Sequence, residues 1–181
     1  VEGTVEAFGA LDIVVHNAFT ARARSPHLLE EVDLEMWRDF SLTAVGASFW
    51  CARAAFPHLR PDRGRLILIT SPSAVEGSAH VPIYSPVKAA QRAMAKSLAR
   101  EWGPAGITVN CLAPVAETPA LTEAFEQNPD LRRRMTERTP LGRMGDPEKD
   151  IGSVAVFLAG DSSCYVSGQT IVCDGGSFTG L

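Results

Sequence analysis

Arg65-Leu-Ile-Leu-Ile-Thr70 is a run of four consecutive large aliphatic residues between two polar ones. A strand with one solvated face alternates apolar and polar side chains, so an unbroken aliphatic run predicts a strand that is covered on both faces. Three further runs contain polar residues but are also rich in apolar and β-branched ones, and we interpret them as buried strands too: Leu11–His16, Ile107–Leu112 and Gln169–Cys173. Together they predict a sheet with a helical layer on each side.

Helical patterns fill the intervals between these runs. The sequence predicts helices over Leu34–Phe56, Pro86–Trp102, the stretch from Asp146-Pro147 to about Gly160, and a short helical lid between Leu121 and Arg138. The first has one broad apolar face, formed by Trp37, Phe40, Ala44, Ala47, Cys51 and Ala55. Ser85 is a suitable N-cap for the second, with Pro86 at the first helical position. Strands and helices in alternation predict an α/β fold with a parallel sheet and right-handed crossovers.

Polar or irregular segments follow three of the predicted strands. Asn17-Ala18 follows the first strand, Ser71 the second, and Pro114 to Thr118 the third. Ligands of such sheets bind beyond the carboxyl ends of the strands, so these segments are expected to converge at one edge. Their convergence with the start of the second predicted helix indicates a functional site there.

Tyr84-Ser-Pro-Val-Lys88 can bring a phenol and an ammonium close together, because the two side chains lie about one helical turn apart. A free phenol has a pKa of about 10, and an ammonium within roughly 4–6 Å lowers it by about 1–3 units, toward the range useful for acid–base catalysis. Ser71 could hold the substrate oxygen that receives the proton. The motif alone would fit an aromatic residue at a helix start and a solvated lysine, but the converging strand ends favour proton-transfer chemistry.

The chain resembles the short-chain dehydrogenase/reductase family over essentially its whole length. Leu11–Ala18 is similar to the family's strand leading into Asn-Asn-Ala-Gly, and Ser71, Tyr84 and Lys88 match its catalytic serine and tyrosine–lysine pair. Pro140–Pro147 and Tyr165–Gly176 resemble its carboxyl-terminal signature. The resemblance implies a partial Rossmann-type doubly wound parallel sheet, the last four strands and their helices. Residues 1–181 would then be the carboxyl-terminal part of one such domain.

The family resemblance also implies an activity, which is the NAD- or NADP-dependent interconversion of a small-molecule ketone and a secondary alcohol. Tyr84 would be the general acid or base, Lys88 would lower its pKa and bind the nicotinamide ribose, and Ser71 would position the carbonyl. The expected cofactor-binding residues are Asn17, Ala18, Tyr84, Lys88, Pro114 and Thr118. The 3-oxoacyl-carrier-protein reductase branch is the suggested relative. The Tyr84–Lys88 pair argues against enoyl reductases of this superfamily, which space the two residues more widely, and against halohydrin dehalogenases, which carry arginine in place of the lysine. A homodimer or homotetramer is also implied.

Several positions depart from the family pattern. The glycine-rich phosphate loop is absent, and Val1–Ala10 resembles only the end of a later helix, so we expect the carboxyl-terminal part of a longer protein, with Leu11–His16 as an exposed apolar edge strand. Ala44 stands where the family has an asparagine, and Phe19 replaces a glycine. The loop from Pro114 to Thr118 is one residue shorter than usual. These changes leave two alternatives open: a non-catalytic subunit or interaction module, and a lyase that uses Tyr84 without hydride transfer.

Composition limits the other functional classes. The 181 residues are 45% hydrophobic and 21% charged with a net charge of −4, which fits one globular unit and offers no basic surface for nucleic acid. No apolar run is long enough to span a membrane. The cysteines form no Cys-x-x-Cys pair and lie in apolar segments, which indicates reduced core thiols in a cytoplasmic protein and argues against a metal site: Cys51, Cys111, Cys164 and Cys173.

The histidines are scattered along the sequence, so we interpret them as structural or surface residues: His16, His27, His58 and His80. Only His80 lies near the presumed substrate loop.

Overall fold

The fold is built on one sheet of parallel strands, seen in a computed structural model that describes residues 1–19, 28–79 and 81–178. The strands are β1 (Ile13–His16), β2 (Arg65–Ile69), β3 (Thr108–Pro114) and β4 (Thr170–Cys173), in the spatial order β1-β2-β3-β4. In the register, His16 lies opposite Leu68, and Ile69 lies opposite Leu112. The predicted parallel α/β sheet is confirmed, and its strands end along a common edge.

Helices occupy the connections between the strands. They are α1 (Glu2–Phe8), α2 (Leu34–Ser41), α3 (Ala47–Ala55), α4 (Ser73–Glu76), α5 (Tyr84–Trp102), α6 (Pro119–Gln127), α7 (Pro129–Arg138) and α8 (Ser153–Ala159). Two π-helical turns, Leu42–Gly46 and Pro147–Gly152, lead into α3 and α8. Asp146 begins the second of these turns, because its carboxylate accepts hydrogen bonds from the backbone N–H groups of Glu148 and Lys149.

The sheet is covered on both faces, as the aliphatic runs predict. Leu66 and Leu68 of β2 pack into a core that includes side chains from α3 and α5, with Trp102 among them. Ile67, between them, points to the other face and packs with Leu158 of α8. This alternation explains why β2 has no polar side chain within its aliphatic run: neither face of the strand meets water.

The predicted single helix over Leu34–Phe56 is interrupted by the π-helical turn Leu42–Gly46, and this changes its buried face. The fully buried side chains are Phe40, Ala44, Ser48, Ala52 and Ala55. The prediction was therefore wrong for Trp37, which is 43% exposed, and for Ala47 and Cys51, which are only partly buried. A π-helical turn contains more residues than an α-helical turn. The buried side chains from Phe40 to Ala52 therefore recur at every fourth residue.

Helix α5 begins earlier than predicted. Its first residue is Tyr84, its N-cap is Ile83, and the hydroxyl of Ser85 is buried and makes no hydrogen bond within the described part of the chain. The predicted N-cap role of Ser85 is therefore wrong. Pro86 is still tolerated in the first turn, because the N–H groups of that turn have no acceptor within the helix.

Strand β1 is an edge of the sheet within the described ranges. Its Ile13 and Val15 side chains are 43% and 48% exposed, in agreement with the predicted apolar edge. None of the helices in residues 1–19, 28–79 and 81–178 is long and apolar enough to cross a bilayer.

The tight turn that leads into β3 depends on Gly106. Its φ is +70°, and a Cβ added there would lie 2.6 Å from the Cα of Asp62 and 2.9 Å from the Asp62 backbone nitrogen. We expect Gly106→Ala to lower the free energy of unfolding by more than the roughly 1–2 kcal/mol of a left-handed backbone alone, because backbone atoms must also move. Urea denaturation of the purified protein measures the loss.

Gly142→Ala is the matched control for this prediction. Gly142 has a similar φ of +67°, but a Cβ added there would have no atom within 4 Å. Its substitution therefore tests backbone strain without crowding. Equal losses for the two variants would show that the contact with Asp62 has no influence on stability.

Candidate active site

The carboxyl ends of three strands place the predicted site residues along one edge of the sheet. Asn17 and Ala18 follow β1 and are exposed, Ser71 lies two residues beyond the end of β2, and Pro114 is the last residue of β3. Thr118 follows the β3 loop and caps α6, its hydroxyl accepting a hydrogen bond from the Leu121 backbone at 3.4 Å. The predicted convergence of strand-end segments is therefore observed.

Lys88 connects α5 to the end of β2. Its Nζ donates a hydrogen bond to the Ile69 carbonyl oxygen at 2.8 Å, and the Thr70 hydroxyl donates to the Lys88 carbonyl oxygen at 3.0 Å. The residue is only 4% exposed. Burial lowers the pKa of Lys88 to about 8, an effect that the nearby Cys111 thiol opposes. Near neutral pH this amine can therefore both hold and release a proton.

Phe19 covers the Tyr84–Lys88 pair. Its ring centroid is 4.6 Å from Lys88 Nζ and 5.2 Å from the Tyr84 ring centroid, in an edge-to-face arrangement. The distance from Lys88 Nζ to the Tyr84 ring centroid is 5.9 Å. The aromatic faces stabilise the ammonium and help to keep water away from it. Sequence analysis identified Phe19 only as a departure from the glycine; the structure places it in direct contact with both side chains.

Ser71 occupies the loop between β2 and α4. Its Oγ lies 3.0 Å from Ser73 Oγ and accepts a hydrogen bond from the Ser73 backbone N–H at 3.3 Å. When Ser73 also supplies the proton of the hydroxyl pair, the Ser71 hydroxyl can donate its own proton to a further acceptor. The side chain is partly exposed at the strand edge, where a substrate oxygen could reach it.

The loop between Pro114 and Thr118 is anchored by its backbone. The N–H of Val115 donates to the Cys173 carbonyl oxygen at 2.8 Å, and the N–H of Glu117 donates to that of Gly145 at 2.9 Å. These bonds fix the loop at the carboxyl ends of β3 and β4. The structure thus binds Lys88 to the end of β2, with the Tyr84 ring centroid 5.9 Å from the Lys88 amine. Asn17, Ala18, Pro114 and Thr118 follow or end strands of the same sheet.

Sequence analysis missed a buried polar cluster beside this edge. His16, Ser48 and Gln91 are respectively 5%, 0% and 0% exposed and are joined by hydrogen bonds. Burial lowers the pKa of His16, and the positive charge of Lys88 lowers it further. Two features of the sequence could have indicated this cluster: the position of His16 at a strand end, and the four-residue spacing between Ala44 and Ser48.

The structure corrects the prediction for one cysteine and does not describe two of the histidines. Cys164 is exposed, so the prediction that all cysteines are core thiols is wrong for this one, since it lies on a turn after Ser163. Residues 20–27, which include His27, and His80 lie outside the described residues. Within the described residues no cluster of three or more His, Cys, Asp or Glu side chains is arranged to hold a metal ion.

Comparisons with known proteins show which family the chain resembles. A family model described as Enoyl-(Acyl carrier protein) reductase matches residues 1–177. L-rhamnose-1-dehydrogenase of Scheffersomyces stipitis is 37% identical over 182 residues, which cover 100% of this chain and 69% of that protein. A 3-oxoacyl-[acyl-carrier-protein] reductase of Staphylococcus aureus is 34% identical over 179 residues, 98% of this chain and 70% of that protein.

A solved structure shows the same relationship in three dimensions. The crystal structure of a short-chain alcohol dehydrogenase from Sinorhizobium meliloti matches with a TM-score of 0.88 at 32% identity, covering 99% of this chain and 70% of that one. Sequence motifs, sheet topology and these matches lead to the same result. The chain belongs to the short-chain dehydrogenase/reductase family of oxidoreductases.

Proposed function

We propose that this protein interconverts a ketone and a secondary alcohol with NAD or NADP, and that Tyr84 is its general acid and base. The observation that carries the proposal is the buried Lys88 ammonium, held at the end of β2 beside Tyr84, with its pKa lowered to about 8. Burying an ammonium is costly, and groups whose pKa is strongly shifted by burial are concentrated at functional sites.

The proposed chemistry assigns one role to each residue. In ketone reduction, Tyr84 donates its phenolic proton to the carbonyl oxygen as hydride reaches the carbon, and in alcohol oxidation it accepts the proton back. The positive charge of Lys88 stabilises the phenolate form. Ser71 donates a hydrogen bond to the same substrate oxygen and so holds the carbonyl in the reactive orientation.

The described residues fit a nicotinamide cofactor. Lys88 has three N–H donors, of which the Ile69 carbonyl takes one, so the amine can also bind the hydroxyls of a ribose. Asn17 and Ala18 are exposed at the end of β1, where a cofactor could lie against them. Pro114 ends β3, and Thr118 precedes α6. The cofactor would supply the hydride, and the protein supplies orientation and electrostatics.

The substrate is proposed only as a small-molecule carbonyl or alcohol. The two relatives described above are named for a sugar and for an acyl-carrier substrate, so fold and family do not discriminate between these classes. The three-residue interval between Tyr84 and Lys88 argues for the 3-oxoacyl reductase type over the enoyl reductase type. We propose a cytoplasmic location from the free cysteines.

We further propose that a second copy of the chain covers the outer face of α3. Phe49 and Trp50 are 48% and 59% exposed and pack edge to face, and Arg53 lies over the Trp50 ring. Phe56, 39% exposed, extends this aromatic surface. The sequence predicts a second subunit against Phe49, Trp50 and Phe56 and against Met94, Leu98 and Trp102 of α5, but Trp102 belongs to the core, where it stacks on Phe56. A homodimer or homotetramer is the proposed assembly.

The first prediction tests Tyr84. In the complete protein, Tyr84→Phe should reduce kcat/KM for L-rhamnose oxidation or acetoacetyl-CoA reduction by roughly 10²–10⁴-fold, because only the proton-donating hydroxyl is removed. Absorbance of the reduced nicotinamide measures the rate. Tyr165→Phe, at the fully exposed second tyrosine, should leave it unchanged. Full activity of Tyr84→Phe would exclude the mechanism, and turnover without a nicotinamide signal would favour a lyase.

The second prediction concerns the free-energy cost of burying the Lys88 ammonium. In the folded protein its pKa is lowered from 10.5 to about 8, so the folded state resists protonation and is destabilised below pH 8 by up to about 3 kcal/mol. Lys88→Met should therefore raise the free energy of unfolding at pH 7 by about 1–3 kcal/mol, less the contribution of the lost hydrogen bond, while abolishing turnover. The gain should shrink as pH rises from 8 to above 10.5.

Urea denaturation at several pH values measures this difference, with Lys96→Met as control. Lys96 lies on the exposed side of α5, so its substitution should change stability by less than about 0.5 kcal/mol. A Lys88→Met variant that is less stable than the parent at pH 7 would contradict the proposed cost of burial.

The third prediction concerns assembly. Light scattering at micromolar concentration should give a dimeric or tetrameric mass for the complete protein, and Trp50→Glu should shift it toward the monomer by placing a charge in the proposed contact. Tyr165→Glu, at an aromatic residue that is more exposed than Trp50, should keep the parent mass. A monomeric parent protein would show that the aromatic surface of α3 has another explanation.

A further inference from the structure

Two cationic side chains of α5 bind the segment that carries Ser71. Lys88 Nζ donates a hydrogen bond to the Ile69 carbonyl oxygen at 2.8 Å. Arg92 donates from Nη1 to the Ala74 carbonyl oxygen, also at 2.8 Å. Residues four apart in a helix lie on the same face, one turn from each other. The segment from Ile69 to Ala74 is therefore bound to α5 at both of its ends.

The turn that orients Ser71 is closed by the residue that Arg92 binds. The N–H of Ala74 donates to the Ser71 carbonyl oxygen at 3.0 Å. The N–H of Ser73 donates to Ser71 Oγ at 3.3 Å. A shift of Ala74 would therefore change the turn and, with it, the direction of the Ser71 hydroxyl.

The Arg92 guanidinium is fixed at a second point. Its Nε donates to Thr170 Oγ1 at 3.2 Å. Thr170 begins β4 and pairs with Cys111 of β3, so this contact joins the side chain to the sheet. Because a guanidinium is a rigid, planar fork, two hydrogen bonds to different elements restrict its orientation. The side chain thus connects α4, α5 and β4.

The stability of α5 by itself does not explain an arginine at this position. Like charges four residues apart on one helix face repel, so a cation after Lys88 slightly destabilises an isolated helix. Arg92 is also half-buried, and ordering a long side chain costs conformational entropy. The hydrogen bonds to Ala74 and Thr170 offset these costs. The position of Arg92 therefore favours a role in joining α4 to α5.

We propose that Arg92 is a positioning residue that, together with Lys88, holds the turn of Ser71 in place relative to Tyr84; this inference rests on the proposed oxidoreductase function. Ser71 and Tyr84 must reach the same substrate oxygen, although they belong to different elements. Lys88 fixes the start of the segment that carries Ser71, and Arg92 fixes its end. A misplacement of about 1 Å in such a site can reduce the rate by about 10²-fold.

Hydrogen exchange tests the contact without turnover. Arg92→Met keeps an aliphatic stem but removes both donors, so peptides covering residues Ser71 to Gly77 should exchange about 3- to 10-fold faster in mass spectrometry of the complete protein. Arg100→Met, at an exposed arginine of the same helix, is the matched control and should leave these peptides unchanged. Thr170→Val removes only the second contact and should have a smaller effect. Unchanged exchange in Arg92→Met would overturn the proposal.

A double-mutant cycle separates positioning from a general loss of stability. In the complete protein, assayed with L-rhamnose or acetoacetyl-CoA, Arg92→Met should lower kcat about tenfold, while KM for the nicotinamide cofactor changes by less than about twofold. In the Ser71→Ala background the same substitution should lower kcat by less than about twofold, because no hydroxyl remains to be positioned. Arg92→Lys keeps the charge but not the planar fork, so its kcat should lie between those of Arg92→Met and the parent.

The outcomes distinguish this inference from the proposed function. Equal losses of kcat from Arg92→Met in the parent and in Ser71→Ala would show that Arg92 acts on the whole fold, and would overturn the positioning role. A Ser71→Ala protein as active as the parent would instead contradict the function proposed for Ser71. The exchange measurement would still decide whether Arg92 holds α4.

Discussion

The burial of one ammonium group at the end of β2 is the constraint on which the rest of the site depends. Two groups hold Lys88 there: the Ile69 carbonyl oxygen accepts a hydrogen bond from Nζ, and the Phe19 ring lies 4.6 Å from it. The Thr70 hydroxyl fixes the backbone of α5 against the same strand end. The position of Tyr84 relative to the sheet follows from these contacts, since it lies one turn before Lys88.

The sheet makes this arrangement possible in a second way. Parallel strands with aliphatic side chains on both faces form a rigid base. The carbonyl groups at their ends are not used in pairing with a neighbouring strand, so they can accept hydrogen bonds from other groups. β2 therefore has an apolar middle and a polar end, where Thr70 and Ser71 follow Ile69. The apolar residues of β2 stabilise the sheet, and the polar residues that follow its end are available for the proposed chemistry. The two roles therefore fall on adjacent segments of the chain.

Much of this organisation could be predicted from the sequence. The four apolar runs, the helices between them and the position of Lys88 at the end of β2 follow from periodicity and from the geometry of parallel sheets. The cap of α5 could not be predicted, because Ser85 satisfies local N-cap preferences and the helix nevertheless starts at Tyr84. The cluster of His16, Ser48 and Gln91 was also missed, since three elements distant in sequence contribute to it and none carries a motif. The π-helical turn has no sequence marker that we can identify.

That turn has a consequence for how the protein tolerates change in length. Residues Leu42–Gly46 delay the helix by part of a turn, and this delay decides that Ser48 faces inward and Trp50 outward. Loss of a single residue there would restore ordinary α-helical phase and rotate everything from Ala47 onward by about 100°. The aromatic side chains would then be driven toward the sheet, and the hydroxyl that anchors His16 would leave it. A deletion of one residue there would thus separate Ser48 from His16 without changing any residue at the ends of the strands, so the length of Leu42–Gly46 decides which side chains of α3 face the sheet.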